Sequence, residues 1–171
     1  MSLSKIVLVA ALASVVAVSG CSRGKKGAAA FNNPADLGIG NGAAGSVAPG
    51  SAKDFTVNVG DRVFFTVDSS SLTGEARSTL DKQARWLNRY PAYAIKIEGH
   101  ADERGTREYN IALGARRAAA TKNYLISQGV SRSRLRTISY GKERPVAVCN
   151  DISCFSQNRR AVTLLSGGGN S

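Results

Sequence analysis

Four segments of this chain carry the residue pattern of β-strands. Residues 62–67 are rich in β-branched and aromatic side chains, and residues 93–98 alternate between apolar and polar positions, as half-buried strands do. Two later segments, 135–140 and 160–165, are also predicted to be strands. The pattern therefore predicts a sheet of four strands.

Two helices are predicted between these strands. The first begins at a cap residue, Thr73, and runs to about Arg89, where Pro91 enforces its end. The second opens at Thr106 and ends near Gln128, just before Gly129. The predicted apolar stripes are Ala76, Leu80, Ala84 and Leu87 in the first helix, and Tyr109, Leu113, Ala120 and Tyr124 in the second.

The order of these elements predicts the fold class. A strand, a helix, a strand, a helix and two final strands form an α/β (α+β) sandwich, in which two main helices cover one face of a mixed four-stranded sheet. We place this domain at residues 52–166 and predict a disordered tail at 167–171. Within the second helix, Arg117 falls beside Leu113 on the helical wheel and is predicted near the buried edge.

The amino-terminal residues are typical of export. Residues 1–20 combine a basic Lys5 with a short apolar run and a small Ser-Gly pair, which favours a secretory signal peptide over a spanning helix. The segment Val18–Cys21 resembles the lipobox of bacterial lipoproteins, which implies covalent N-acyl and S-diacylglycerol lipids on Cys21 and outer-membrane sorting. Residues 21–51, rich in Gly, Ala, Ser and Asn, are predicted to be a flexible tether behind that anchor.

The strongly basic balance changes the choice of partners. The formal net charge is +11. Cleavage of the predicted signal peptide would remove Lys5 and with it one of these positive charges. Such a charge suggests polyanions as partners. An exported protein works in a compartment without nucleic acid, so we expect no nucleic-acid partner. Acidic lipid headgroups and the carboxylate-bearing peptides of the cell wall are the better candidates, and an ordinary solvated surface is the alternative.

Two further cysteines, Cys149 and Cys154, lie in a segment predicted to be a loop. An oxidising periplasm allows them to close a local disulfide. The competing interpretation is a zinc site, but such a site needs about four ligands and the chain has a single His. We therefore predict a disulfide and no metal.

An acidic turn before the second helix holds the clearest candidate chemistry. Asp102 follows a predicted strand, and Arg117 lies three turns into the next helix. In a strand-turn-helix unit these two side chains can flank one zwitterionic ligand, because a carboxylate accepts from an ammonium and a guanidinium grips a carboxylate. The alternative is an internal Asp102–Arg117 ion pair that fastens the turn to the helix.

Residues 63–160 resemble the OmpA-like peptidoglycan-binding domain. The blocks that carry the resemblance are 63–68, EGHADERGT at 98–106, 108–110, 113–114, 116–118, 139–141 and QNRR at 157–160. The segment with Cys149 and Cys154 departs from the family, which usually lacks cysteine there.

The resemblance implies a ligand and the residues that bind it. Asp102 and Arg117 would hold the diaminopimelate of a peptidoglycan stem peptide, with Asp68 completing the pocket. Leu113 and Arg104 are further candidate contacts, with places in the core and on the surface as their alternatives. Asp68 has an alternative too, because it precedes three serines and can organise a turn.

The resemblance also implies a cellular role. An outer-membrane lipoprotein on the periplasmic face would bind meso-diaminopimelate-type peptidoglycan noncovalently, tether the membrane to the wall, and serve the Tol system in envelope integrity and in membrane constriction at division. TolB is the implied partner, and TolA is a second candidate. A wall-binding lipoprotein without Tol partners is the alternative.

An enzyme is the weaker hypothesis. His100, with Asp102 and Glu103 beside it, is the residue that suggests an enzyme, but a wall hydrolase needs a metal cluster, an activated nucleophile or paired catalytic carboxylates. The sequence has one His, no free thiol once the predicted disulfide forms, and no second cluster of ligands. We predict His100 to be a turn residue that hydrogen-bonds the backbone. The prediction is therefore a non-enzymatic protein without a bound cofactor.

Overall fold

The computed structural model describes residues 47–168. The predicted signal peptide, the predicted acylation site Cys21 and residues 22–46 of the predicted tether lie outside the described residues, as do residues 169–171. No helix among the described residues is long and apolar enough to cross a membrane.

The sheet has four strands, as the sequence predicted. Its order is β1-β4-β2-β3, with β2 and β3 parallel and the other two pairs antiparallel. The sheet is therefore mixed, and the prediction of fold class is confirmed. The strands are β1 (Arg62–Phe64), β2 (Tyr93–His100), β3 (Leu135–Gly141) and β4 (Arg160–Gly167).

The described residues contain four α-helices. A short α1 (Ala52–Asp54) continues into a π-helical turn (Phe55–Val59), α2 spans Gly74–Arg89, α3 spans Arg107–Ser127, and α4 spans Ile152–Asn158. The hydroxyls of Thr73 and Thr106 accept from the backbone N–H three residues on and cap α2 and α3, which are the starts that the sequence predicted.

Both long helices lie on one face of the sheet. Ile95 and Ile97 on β2 are buried in the same apolar core as Leu80 and Leu87 of α2. Gly99, next on the same face of β2, approaches α3 so closely that an added Cβ would overlap the backbone of Gly114. Helix α3 therefore packs on the carboxyl-terminal half of β2.

The buried face of α3 differs from the predicted stripe. Tyr109 is 45% exposed, and Ala120 and Tyr124 are only partly buried. The buried face instead consists of Asn110, Leu113, Gly114, Arg117, Ala118, Thr121 and Leu125. Of the predicted stripe, Leu113 alone is buried, and the predicted buried position of Arg117 is confirmed. The rest of the stripe was wrong because this helix buries polar and small residues against the sheet, which an apolar pattern does not detect.

The domain begins before residue 52, where the prediction placed it. Ser51 caps α1 through its hydroxyl, and the carbonyl of Gly50 accepts a 2.7 Å hydrogen bond from the hydroxyl of Tyr93 at the start of β2. At the other end, β4 continues to Gly167, one residue into the predicted tail. Gly50 and Ser51, which the prediction assigned to the tether, therefore pack against the domain.

The cysteine segment is partly helical, whereas the sequence predicted a loop. Asp151 caps α4 by accepting from the backbone N–H of Ser153, and Cys154 lies within that helix. A disulfide joins Cys154 to Cys149 in the preceding turn.

Candidate functional site

A cavity of about 260 Å³ opens where β2 ends and α3 begins. We call it the basin. All five predicted site residues line it, namely Asp68, Asp102, Arg104, Leu113 and Arg117, and Val67, Gly105, Tyr109 and Asn110 complete the wall. The fold thus brings together residues from three separate parts of the sequence.

Asp102 is the acidic group of the basin. It lies two residues beyond β2 and is 7% exposed. Its carboxylate accepts from Arg104, with Nη2 to Oδ2 at 2.6 Å, and from Arg159, with Nη1 to Oδ2 at 3.2 Å. Burial alone raises the pKa of Asp102, but the hydrogen bonds from Arg104 and Arg159 outweigh it and hold that pKa below its ordinary range.

Arg117 is the cationic group of the basin and is fully buried. Its guanidinium donates to three main-chain carbonyls: Nε to Ser69 at 2.8 Å, Nη1 to His100 at 2.9 Å and Nη2 to Thr66 at 3.1 Å. Burial lowers the pKa of Arg117 to about 10, so the side chain keeps its charge at neutral pH. The guanidinium therefore ties the β1–α2 loop to the end of β2.

Asp102 and Arg117 do not pair with each other. Among the ion pairs of the described residues, Asp102 is joined to Arg104 and Arg159 only. The alternative of an Asp102–Arg117 ion pair that fastens the turn to α3 is therefore wrong. Arg117 fastens these elements through backbone carbonyls, and its charge is not neutralised by a direct carboxylate partner.

Asp68 lies on the opposite rim of the basin. Its backbone has φ +51°, a left-handed conformation that Asp tolerates better than most residues. Its carboxylate accepts a hydrogen bond from the hydroxyl of Tyr109 on α3. Asp68 thus forms a tight turn and also presents an exposed carboxylate to the basin, so the two interpretations of this residue are compatible.

Three residues at the basin were not predicted as site residues by the sequence analysis. Arg159, which follows α4, reaches Asp102 and also donates to the carbonyl of Phe65 at 3.1 Å. Asn110 holds the acidic turn by donating to the carbonyl of Arg104 at 2.7 Å. Tyr109 forms part of the wall. All three fall inside the blocks of family resemblance, which was the only sequence signal that could have found them.

His100 faces away from the basin. It is the last residue of β2 and its side chain is 2% exposed. Its Nε2 lies 3.8 Å from Oε2 of Glu98, which is too far for a hydrogen bond, so neither ring nitrogen has a hydrogen-bond partner. The prediction of a turn residue that hydrogen-bonds the backbone was wrong. Burial lowers the pKa of His100 to about 4, with a further contribution from the nearby charge of Arg160, so the ring is neutral at neutral pH.

The arrangement suits recognition of a ligand that carries both charges. The basin places an anionic acceptor, Asp102, beside a buried cationic donor, Arg117, and leaves an open cavity between the turn and α3. Over residues 47–168, no group of His, Cys, Asp or Glu residues has the spacing of a metal site.

Comparisons with known proteins agree with this geometry. The OmpA family model matches residues 64–159. The peptidoglycan-associated lipoprotein of Mesorhizobium japonicum is 65% identical over 159 residues, which cover 93% of this chain and 91% of that protein. The peptidoglycan-associated lipoprotein of Haemophilus influenzae is 43% identical over 149 residues, with 87% and 90% covered.

A solved structure has the same fold. The crystal structure of the peptidoglycan-associated lipoprotein from Burkholderia pseudomallei superimposes with a TM-score of 0.64 at 36% sequence identity. The match covers 68% of this chain and 100% of that one.

Proposed function

The chain belongs to the OmpA family, and from this premise we propose that its basin binds the diaminopimelate residue of a peptidoglycan stem peptide. The chain is not an enzyme, since the family has a binding and structural role. It is a peptidoglycan-associated lipoprotein of the cell envelope, with a periplasmic, membrane-associated location.

One observation carries the proposal. Asp102 and Arg117 line one cavity, and neither satisfies the charge of the other. Diaminopimelate bears an ammonium and a carboxylate at the end of its side chain, so it can engage both groups at once. A carboxylate accepts well from an ammonium, and a planar guanidinium favours a carboxylate.

The remaining wall of the basin supports the same ligand. Leu113 is 5% exposed and offers an apolar surface to the methylene chain, while Asp68 adds a second acceptor on the far rim. Lysine lacks the side-chain carboxylate of diaminopimelate, so a lysine-type stem peptide leaves Arg117 without that partner.

The amino-terminal segment is the part of the chain that would attach the protein to the membrane. We propose that lipids on Cys21 hold the outer membrane and that the tether lets the domain reach the wall. Such a protein couples membrane to wall noncovalently. Its proposed partners are TolB, with TolA as a second candidate, and its proposed setting is envelope integrity and membrane constriction at division.

Co-sedimentation with purified peptidoglycan tests the site. The full mature chain, kept unacylated by Cys21→Ser, is mixed with diaminopimelate-type or lysine-type wall. We expect selective binding to the first, and a loss of about tenfold or more in Asp102→Asn, since a charge-assisted hydrogen bond is removed. Glu108→Gln removes an equal charge from an exposed position in the first turn of α3 and is expected to bind normally.

Two results would contradict the proposal. Equal binding to both walls would mean that the basic surface adheres to any polyanion. Unaffected binding by folded Asp102→Asn would mean that the basin is not the site. A separate pull-down with TolB distinguishes a Tol-system protein from a wall-binding lipoprotein without Tol partners.

A further inference from the structure

The carboxylate of Asp102 is already fully engaged. Oδ1 accepts from the backbone N–H of Arg104 at 3.3 Å and from its Nε at 3.2 Å, and Oδ2 accepts from Arg104 Nη2 at 2.6 Å and from Arg159 Nη1 at 3.2 Å. A carboxylate offers about four acceptor positions, and these four donors occupy them. A ligand ammonium therefore has no vacant position on Asp102.

Arg104 is the donor that can leave. Its side chain is 48% exposed, whereas that of Arg159 is 9% exposed and is held by a second hydrogen bond, to the carbonyl of Phe65. The backbone of Arg104 stays in place because its carbonyl accepts from Asn110. Water can solvate the guanidinium of Arg104 as it departs, so exchange at this position costs little.

A second contact holds the side chain of Arg104 against Asp102. Its guanidinium carbon lies 4.8 Å from the centre of the Phe155 ring, within the range of a cation–π interaction. Phe155 follows Cys154 on α4. The Arg104 side chain is therefore gripped between the carboxylate of Asp102 and an aromatic ring of the cysteine segment.

We propose that the guanidinium of Arg104 occupies the place on the Asp102 carboxylate where a ligand ammonium binds, and that the ammonium binds by displacing it. The inference rests on the proposed function and deepens it, since binding becomes an exchange of one cation for another. A ligand without an ammonium cannot replace Arg104 and leaves the carboxylate covered. Arg104 is thus a competitor that selects for ammonium-bearing ligands, a role that differs from the direct ligand contact predicted for it.

Calorimetric titration of the unacylated mature chain with a free stem tripeptide that contains meso-diaminopimelate tests the exchange. Arg104→Met keeps the methylene stem and removes the competing charge, so we expect binding about twofold to fivefold tighter than wild type, the range of exposed ion pairs. Phe155→Leu removes the cation–π contact with Arg104. It is expected to tighten binding of the tripeptide as well, but by less than Arg104→Met does. Arg104→Lys, which keeps a charge, is expected to stay near wild type.

Arg107→Met is the matched control. Arg107 lies three residues from Arg104, is 67% exposed and pairs with Glu143 rather than with the basin. The tripeptide carries net negative charge, so loss of any nearby positive charge weakens binding through long-range attraction. We therefore expect Arg107→Met to bind equally or more weakly, which is opposite in sign to the effect of Arg104→Met.

The outcomes separate the exchange from the proposed function. If the wild type binds and Asp102→Asn does not, then unchanged or weaker binding by Arg104→Met overturns the exchange, with weaker binding identifying a direct ligand contact. If the wild type fails to bind the tripeptide, or Asp102→Asn binds as well as wild type, the proposed function fails and the exchange fails with it. Circular dichroism confirms that each variant is folded.

Discussion

Gly99 on β2 and Gly114 on α3 meet backbone to backbone. A Cβ on Gly114 would lie 2.9 Å from the carbonyl oxygen of Gly99 and would also collide with the hydroxyl of Ser139. This contact seats α3 directly on β2. Arg117, three residues further along α3, then reaches the carbonyl of His100, the neighbour of Gly99. Because both residues are glycines, α3 can approach β2 closely enough for the Arg117 guanidinium to reach the end of that strand.

Gly114→Ala is expected to destabilise the protein by about 2–3 kcal/mol, because the added methyl group forces α3 away from the sheet. The control is Gly74→Ala at the start of α2, where an added Cβ meets nothing within 4 Å. That substitution is expected to change stability by less than about 1 kcal/mol. Urea unfolding of both variants measures the difference, and equal effects would show that the contact is not tight.

Arg117→Met is expected to lower the free energy of unfolding by about 3 kcal/mol. Removing the guanidinium leaves the carbonyls of Thr66, Ser69 and His100 without that donor, and the loss at the buried carbonyl of His100 is costly. Arg85→Met, at an exposed position on α2, is expected to stay within about 0.5 kcal/mol of wild type. Denaturant unfolding compares the two, and similar stabilities would exclude a structural role for Arg117.

Stability is expected to fall by about 2 kcal/mol between pH 7 and pH 5 because of His100. The pKa of His100 is about 4 in the folded protein against 6.5 as its ordinary value. The unfolded state therefore binds more protons between these values, and stability is lost as pH falls below about 6.5. Urea unfolding at pH 5, 6 and 7 measures the slope.

The matched variant for this slope is His100→Gln, which has no titrating ring. Its stability should vary less over the same pH range, and the difference between the two curves isolates the contribution of His100. Parallel curves for wild type and variant would assign the pH dependence to other groups.

Reduction of the disulfide is expected to cost about 2 kcal/mol, the entropy of a short closed loop. Cys149 and Cys154 are separated by five positions. Thermal unfolding with and without dithiothreitol should show a lower Tm for the reduced wild type. In Cys149→Ser/Cys154→Ser the reductant should have no effect, and an unchanged wild-type Tm after verified reduction would contradict the prediction.

The positions of the four strands and of the two long helices in the sequence could be predicted because each element has a local signal. Alternation marks β2, and threonine caps mark the starts of α2 and α3. Helix α4 was missed because its signal is a single capping residue, Asp151, inside a segment dominated by its cysteines. The face of α3 was predicted only in part: the helical wheel placed Arg117 at the buried edge beside Leu113, but the small residues Gly114 and Ala118 on the same face gave no signal in the apolar pattern.

The sequence by itself determined the fold class, the family and five of the residues that line the basin, since periodicity fixes the elements and family motifs mark those five positions. Only the tertiary structure decided how those residues are connected. Arg159 is 57 positions from Asp102, and Ser69 is 48 from Arg117. Hydrogen bonds between such distant residues depend on the packing of strands and loops, so the partners of each charge in the basin appear only when the chain is folded.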